Sequence, residues 1–291
     1  MEDKGKMSII KKLRDYETQR ALLIAFFFVI VAVPYIKPIG LPVPITDPTR
    51  NFYNAIQDLK PGNIVVIDWN FGAANWGEMG AGSVALLKQL SQLRTTVDYK
   101  IVFLATIQDG PYMLTRSVGE AGGWDTLNFG TYGTDWVYLG FMTGGEPMIA
   151  SMATDFNSIY KTDYQGTPVT QLPLMTKIKD VKDISLIISF HQGGDADKYR
   201  KQWAVPYNIP LIMLVQGIQV PTINMYIKAG QVKGMIASIR GAAEYELLLG
   251  KPYTALISTD ALSTSHLYVI VVMILGNLGY FLYTGKKKGE S

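Results

Sequence analysis

Polar and aromatic side chains that could do chemistry recur just after short apolar runs of this sequence. The runs are Ile64–Asp68, Ile101–Thr106, Trp136–Met142, Ile184–Phe190, Pro210–Val215 and Val232–Ser238. The residues at or after their carboxyl ends are Asp68, Trp69, Asn70, Glu78, Gln108, Asp109, His191, Gln192, Gln216, Arg240 and Glu244. If the runs are parallel strands, their carboxyl ends meet at one edge of a sheet, and these residues form the rim of a ligand cleft. Each residue also fits an ordinary role in a turn or helix cap.

Acid–base chemistry at this rim would depend on His191, the one histidine within the central region. Asp68 or Asp109 could orient its ring, and Asp68 with Glu244 could form a carboxylate pair that acts on a glycoside. No spacing signature supports either arrangement, and a G-x-S-x-G nucleophile motif is absent. The sequence therefore assigns no catalytic residue.

The glycine-rich stretch Gly72–Gly82 invites comparison with phosphate-binding loops. It lacks the G-x-G-x-x-G order, no Lys-Ser/Thr pair follows it, and Glu78 would repel a phosphate. Trp69 and Trp76 could instead stack on a sugar, although burial is the commoner role of tryptophan. We predict no nucleotide and no other cofactor.

Composition excludes several classes of site. The chain has no cysteine, which removes disulfides, thiolate nucleophiles and cysteine-based metal centres. Its two histidines are too few for a multi-histidine metal centre. Residues 38–265 carry 17 Lys and Arg against 19 Asp and Glu, so this region has no basic surface for nucleic acid.

The pattern of apolar residues predicts the elements that carry the rim. The runs are almost continuously apolar, which indicates strands buried on both faces. Helical patterns lie between them, for example in Ser83–Leu93 and Gly241–Leu249. This alternation predicts an α/β fold with an open, mostly parallel, Rossmann-like sheet of about six strands.

Two uncharged apolar runs, Ala21–Ile36 and Leu267–Tyr283, bracket this region. Each is close to the length needed to cross a bilayer once its flanks are counted. The basic residues on their outer sides are Lys4, Lys6, Lys11, Lys12, Arg14, Arg20, Lys286, Lys287 and Lys288. Positive flanks are retained in the cytoplasm, so both termini are predicted cytoplasmic and the central domain extracytoplasmic, in the cell membrane. A cleaved signal peptide is the alternative for the first run, but no small-x-small cleavage site follows it.

The second run contains three residues that favour contact with another helix, Gly276, Asn277 and Gly279. The residues Ser258–Asp260 offer side chains that could cap the helix containing this run. The predicted organisation is a basic cytoplasmic tail (1–20), a transmembrane helix (21–37), a proline-rich spacer (38–48), an extracytoplasmic α/β domain (49–257), a helix including the second span (258–284) and a basic cytoplasmic tail (285–291).

The segment Gly230–Glu246, and within it Arg240–Glu246 (RGAAEYE), resembles a group of uncharacterised archaeal and bacterial two-span membrane proteins. The similarity runs from about Pro61 to the second span. It implies an architecture, without an attached activity.

Three functions fit these observations. The one we favour is a membrane-anchored, non-enzymatic scaffold or accessory subunit, because two anchors and a helix-packing face accompany no chemical motif. Its expected partners are the lipid bilayer and either further copies of the chain or another membrane-complex subunit. The alternatives are an extracytoplasmic domain that binds or senses a small ligand, and a membrane-tethered hydrolase or transferase.

Overall fold

The computed structural model describes residues 15–193, 197–251 and 253–289, with side chains up to residue 281. The basic residues before Asp15, the side chains of Lys286–Lys288, and Gly194 and Asp195 in the loop predicted after the fourth strand lie outside the described residues. The chain divides into two units. One is Val43–Ala255, and the other combines Met1–Pro42 with Leu256–Ser291.

The unit Val43–Ala255 is built on one parallel sheet. Its described residues contain six strands, β1 (Ile64–Asp68), β2 (Lys100–Ala105), β3 (Trp136–Phe141), β4 (Leu186–His191), β5 (Leu211–Val215) and β6 (Gly234–Ala237). They are ordered β3-β2-β1-β4-β5-β6, and every neighbouring pair is parallel. This order places a topological switch point between β1 and β4, as in Rossmann-like folds. The predicted fold class is confirmed.

Helices connect the strands and cover both faces of the sheet. They are α2 (Asp47–Gln57), α3 (Trp76–Arg94), α4 (Gly110–Ala121), α5 (Gly145–Thr154), α6 (Asp197–Tyr199), α7 (Val205–Tyr207), α8 (Val220–Lys228) and α9 (Ser238–Leu248), with a π-helical stretch (Arg200–Ala204) joining α6 to α7. Short 3-10 turns occur at Ala73–Asn75, Phe156–Ser158, Val169–Gln171, Met175–Lys177, Val181–Asp183 and Gly217–Gln219. Every residue of β1, β4 and β5 is buried, as expected for strands covered on both faces.

Most of the glycine-rich stretch Gly72–Gly82 lies in a helix and does not form a loop of the phosphate-binding kind. After a short turn, α3 begins at Trp76 and includes Gly77, Gly80 and Gly82. A Cβ on Gly82 would lie 2.7 Å from Leu214 Cδ1, so the glycine lets α3 pack closely on β5. The stretch thus serves helix–sheet packing, a role that composition alone does not distinguish from a loop.

The segment Arg240–Glu246 lies in α9, where its last three residues hold other elements in place. Glu244 accepts hydrogen bonds from the backbone N–H (3.0 Å) and hydroxyl (2.6 Å) of Thr46, the residue before α2. Tyr245 donates to the Gln89 side chain of α3. Glu246 accepts from the N–H groups of Tyr253 (3.0 Å) and Ala255 (2.9 Å). The two glutamates therefore fix the entry to α2 and the start of the C-terminal helix.

The second unit contains two long apolar helices, α1 (Tyr16–Ile36) and α10 (Thr254–Gly289), of which α10 begins in the α/β unit. Within the described residues these two are long and apolar enough to span a membrane, over Tyr16–Ile36 and Thr254–Phe281. They contact each other directly. The Tyr268 hydroxyl donates to the carbonyl of Leu23 (2.7 Å), and its ring packs on Phe26 and Phe27.

The start of α10 corrects our capping prediction. The helix begins at Thr254, so Ser258–Asp260 lie inside it. The Asp260 carboxylate instead accepts hydrogen bonds from the N–H groups of Ile39 (2.9 Å), Gly40 (2.8 Å) and Leu41 (3.1 Å). Asp260 therefore binds a distant segment and does not cap its own helix. The N–H groups of that segment belong to no helix or strand, and a carboxylate can accept hydrogen bonds from all three.

The predicted packing residues of the second span contact no other segment in the part of the chain that is described. No atom lies within 4 Å of a Cβ built on Gly276 or Gly279. The Asn277 amide donates to the Met273 carbonyl one turn earlier (2.8 Å). This face is therefore open, and its contact with a partner helix stays a prediction.

Candidate functional site

One face of the carboxyl rim carries a buried ion pair. Asp68, the last residue of β1, accepts hydrogen bonds from the N–H (3.1 Å) and hydroxyl (2.7 Å) of Thr106, which follows β2. The Lys198 ammonium of α6 lies 3.3 Å from Asp68 Oδ2 and donates to the Thr106 hydroxyl (2.5 Å). Asp68 and Lys198 are both buried. The sequence reasoning identified Asp68 and missed its two partners.

Burial raises the pKa of the Asp68 carboxyl above its usual 3.8, while Lys198, Thr106 and Tyr199 act in the opposite direction. The charge of Asp68 in turn raises the pKa values of Tyr160 and Tyr199, for which burial is the larger cause. In the described residues the Tyr160 hydroxyl has no hydrogen-bond partner. This face of the rim is therefore a closed layer of charged and hydroxyl groups.

His191 lies at the end of β4 and is not available for the acid–base role we considered. Its Nε2 pairs with the Ser189 hydroxyl (2.8 Å), and its Nδ1 has no partner among the described groups. Burial, followed by repulsion from Lys198, lowers its pKa to about 3. The ring is 1% exposed and is not hydrogen-bonded to Asp68 or Asp109. It is a neutral core histidine at physiological pH.

The opposite face of the rim is filled by aromatic rings. Trp69 packs on Phe190 at a centroid distance of 4.3 Å, and Phe71 stacks between Phe190 and Trp76. The Arg116 guanidinium covers the Trp76 ring at 3.9 Å. These contacts occupy the β1/β4 switch point, where Rossmann-like folds bind ligands. The sugar-stacking hypothesis therefore fails for Trp69, which is fully buried.

The remaining groups of the central rim hold loops together. Asn70 is buried. The Gln192 side-chain oxygen accepts from the Gly72 N–H and from the Asn75 amide, both at 2.5 Å. Asp109 accepts from the Ala73 N–H at 3.3 Å. Gln108, beside Asp109, is exposed.

Glu78 ties together the loops that follow β5 and β6. It accepts hydrogen bonds from the Gly217 N–H (2.8 Å), the Ser238 hydroxyl (2.8 Å) and the Gln216 amide (3.2 Å). Burial raises the pKa of Glu78, but these hydrogen bonds outweigh it and hold the pKa below its usual 4.5. Ser238 has a left-handed backbone (φ 54°), which its bonded side chain helps to maintain.

Arg240 and Glu244 do not join the buried centre. Arg240 is exposed and lies 3.6 Å from Glu244, whose carboxylate is directed to Thr46. The carboxylate pair considered for Asp68 and Glu244 does not form in this structure, since Asp68 pairs with Lys198 and Glu244 accepts from Thr46. Among the described residues, no three His, Asp or Glu side chains come together as metal ligands would.

Comparisons with known proteins do not indicate a function for this chain. No protein-family model and no curated protein matches the chain. Shikimate dehydrogenase of Mycobacterium tuberculosis matches with a TM-score of 0.31 and 13% identity, over 75% of this chain and 62% of the enzyme, less than two thirds of its length. The Moco carrier protein of Chlamydomonas rheinhardtii matches with a TM-score of 0.29 and 17% identity, over 66% of this chain and 100% of that protein. Structural similarity at such low TM-scores does not indicate that this chain shares an activity with either protein.

Outside the filled rim, the described residues form open cavities at two further places. One, of about 480 Å³, is at the amino ends of the strands between α2 and the starts of β4 and β6, and includes Asn51, Asn54 and Lys233. The other, of about 400 Å³, lies beside the carboxyl end of the edge strand β3 and includes Tyr138, Phe141 and Tyr164. The sequence reasoning found neither, because the residues that line them come from distant segments.

We predict that breaking the buried ion pair strongly destabilises the fold. Asp68→Asn should lower the free energy of unfolding by about 3–5 kcal/mol, because it leaves the Lys198 ammonium buried and unpaired. The double variant Asp68→Asn/Lys198→Met should lose less than Asp68→Asn. Urea unfolding of the full chain in mild detergent measures both. Glu120→Gln is the control, because it breaks an exposed ion pair with the same 3.3 Å separation and should cost about 1 kcal/mol or less. Equal losses for Asp68→Asn and the control would contradict the prediction.

We also predict an acid-sensitive stability that depends on His191. Its pKa rises from about 3 in the folded chain toward the ordinary 6.5 on unfolding, so the unfolded state binds the extra proton between these values. The free energy of unfolding should therefore fall with decreasing pH below about 6.5, by up to about 1.4 kcal/mol per unit from this residue. His191→Gln should flatten the profile between pH 6.5 and 4.5. Identical slopes for His191→Gln and the unchanged chain would show that His191 does not contribute.

Proposed function

We propose that this protein is a membrane-anchored, non-enzymatic scaffold or accessory subunit of a membrane assembly. The observation that carries the proposal is the occupation of the carboxyl rim by the chain's own side chains. Asp68, Trp69, Asn70 and His191 are each no more than 3% exposed. A substrate in solution cannot reach these groups while they remain buried, so the rim is better suited to stability than to turnover.

The depressed pKa of His191 supports the same conclusion. A general base works best when its pKa lies near the operating pH, and a buried neutral imidazole with a pKa of about 3 is far from that condition. Asp68 is occupied by Thr106 and Lys198. These contacts weigh against the hydrolase or transferase alternative.

The membrane location is supported by the length and apolar character of α1 and α10. Lysines and arginines flank both spans on their outer sides in the sequence, which favours cytoplasmic termini and an extracytoplasmic α/β domain. The proposal extends to membership of the two-span group that the Arg240–Glu246 segment resembles. In this chain that segment makes structural contacts, with Thr46, Gln89 and the start of α10.

We predict that the α/β domain is reached from outside the cell. The chain has no cysteine, so a single Lys182→Cys substitution at an exposed position gives one labelling site. A membrane-impermeant maleimide should label it on intact cells, whereas Lys6→Cys in the N-terminal tail should be labelled only after lysis. Labelling of Lys182→Cys only after lysis would reverse the proposed orientation.

We predict that Gly276 lies at a contact between helices of different chains. Gly276→Leu should lower the particle mass measured in mild detergent, because leucine prevents close approach of a second helix. Val271→Leu, on a different side of α10, is the matched control and should leave the mass unchanged. The α/β unit should unfold at the same temperature in all three proteins. An unchanged mass for Gly276→Leu would remove lateral packing at this face from the proposal.

A further inference from the structure

The cavity beside β3 has the features of a small-molecule site. Its volume of about 400 Å³ is within the range of ligand pockets in proteins. It lies at the carboxyl end of an edge strand, away from the filled switch point. Four aromatic residues, Tyr138, Phe141, Tyr160 and Tyr164, contribute to its wall.

The backbone holds two of these rings in a defined position. The Tyr164 N–H donates to the Tyr138 carbonyl at 3.0 Å, which brings the segment after Thr162 against β3. Gly140 has a left-handed backbone (φ 79°), and a Cβ there would lie 3.4 Å from Tyr164 Cβ. The Tyr138 and Tyr164 rings are 5.0 Å apart. Tyr164 is 62% exposed, so one apolar side of the cavity is open to a ligand from solution.

The charges at the cavity favour an anion. The Lys161 ammonium is exposed and forms no ion pair or hydrogen bond in the described part of the chain. Asp163 lines the cavity too, but its carboxylate is buried and accepts from the Tyr132 hydroxyl (2.6 Å) and the N–H groups of Gln165 (2.9 Å) and Thr167 (2.8 Å). Pro111, in the first turn of the 12-residue helix α4, adds the positive end of a helix dipole.

We propose that this cavity binds a small aromatic carboxylate. Its ring lies against Tyr164 and Phe141, and its carboxylate faces the Lys161 ammonium and the start of α4. Tyrosine and phenylalanine walls favour a planar apolar ring, and the free cation selects an anion over an amine. This inference does not depend on the scaffold function, because the groups proposed to contact the ligand, Phe141, Lys161 and Tyr164, belong neither to the buried rim nor to the apolar helices.

Saturation-transfer NMR on the full chain in detergent tests the proposal, with phenylacetate, indole-3-acetate, phenethylamine and acetate as probes. The two aromatic acids should bind, and the amine and acetate should not. Lys161→Gln should weaken binding of the aromatic acids about threefold, as loss of an exposed charge contact does. Tyr164→Ala should weaken it about tenfold, because it removes an aromatic wall.

Matched variants control for general effects on the surface. Lys177→Gln changes an exposed lysine of the same β3–β4 connection, and Tyr112→Ala changes an exposed tyrosine next to Pro111. Both should leave the dissociation constants of the aromatic acids unchanged. The proposal is overturned if no aromatic acid binds at millimolar concentration or if phenethylamine binds as tightly. It is also overturned if Lys161→Gln and Tyr164→Ala bind the acids as the unchanged chain does.

Discussion

The arrangement of the α/β unit depends on one buried carboxylate. Asp68 ends the central strand β1 and is fully buried, so an unpaired carboxylate there would be very costly. Its partners come from other parts of the chain, Thr106 after β2 and Lys198 after β4. The carboxylate is satisfied only when all three segments are in place. The need of one buried carboxylate for hydrogen bonds and a counter-ion therefore fixes the positions of the segments that follow β2 and β4.

Alternation along β1 gives the rim two different linings. Asp68 points to the polar cluster under α6, and the next residue, Trp69, packs on Phe190 on the opposite face. Rossmann-like folds commonly leave space for a ligand at this switch point. In this chain the space is filled on both faces, by an ion pair on one and by stacked rings on the other. At the carboxyl edge of the sheet, an open cavity lies beside the edge strand β3 instead.

The sequence predicted the sheet better than the site. Continuous apolar runs place strands well, and the predicted Ile64–Asp68 matches β1 residue for residue, because burial on both faces leaves a local pattern. The contacts of Asp68 leave no such local pattern, since Lys198 lies in a polar stretch that is typical of a solvated helix. The one local indication of the ion pair is a lysine shortly after the end of a buried strand. The cap predicted at Ser258–Asp260 failed for the same reason, because Asp260 has a partner more than 200 residues away.

The hydrogen bonds of Asp260 have a mechanical consequence. The carboxylate accepts hydrogen bonds from three successive amides just after α1, and the Tyr268 hydroxyl donates to the carbonyl of Leu23 within α1. Two attachments at separate points along the helices oppose sliding and relative rotation more effectively than one. The two helices should therefore move as one rigid body, so that a torque applied to either helix is transmitted to the other.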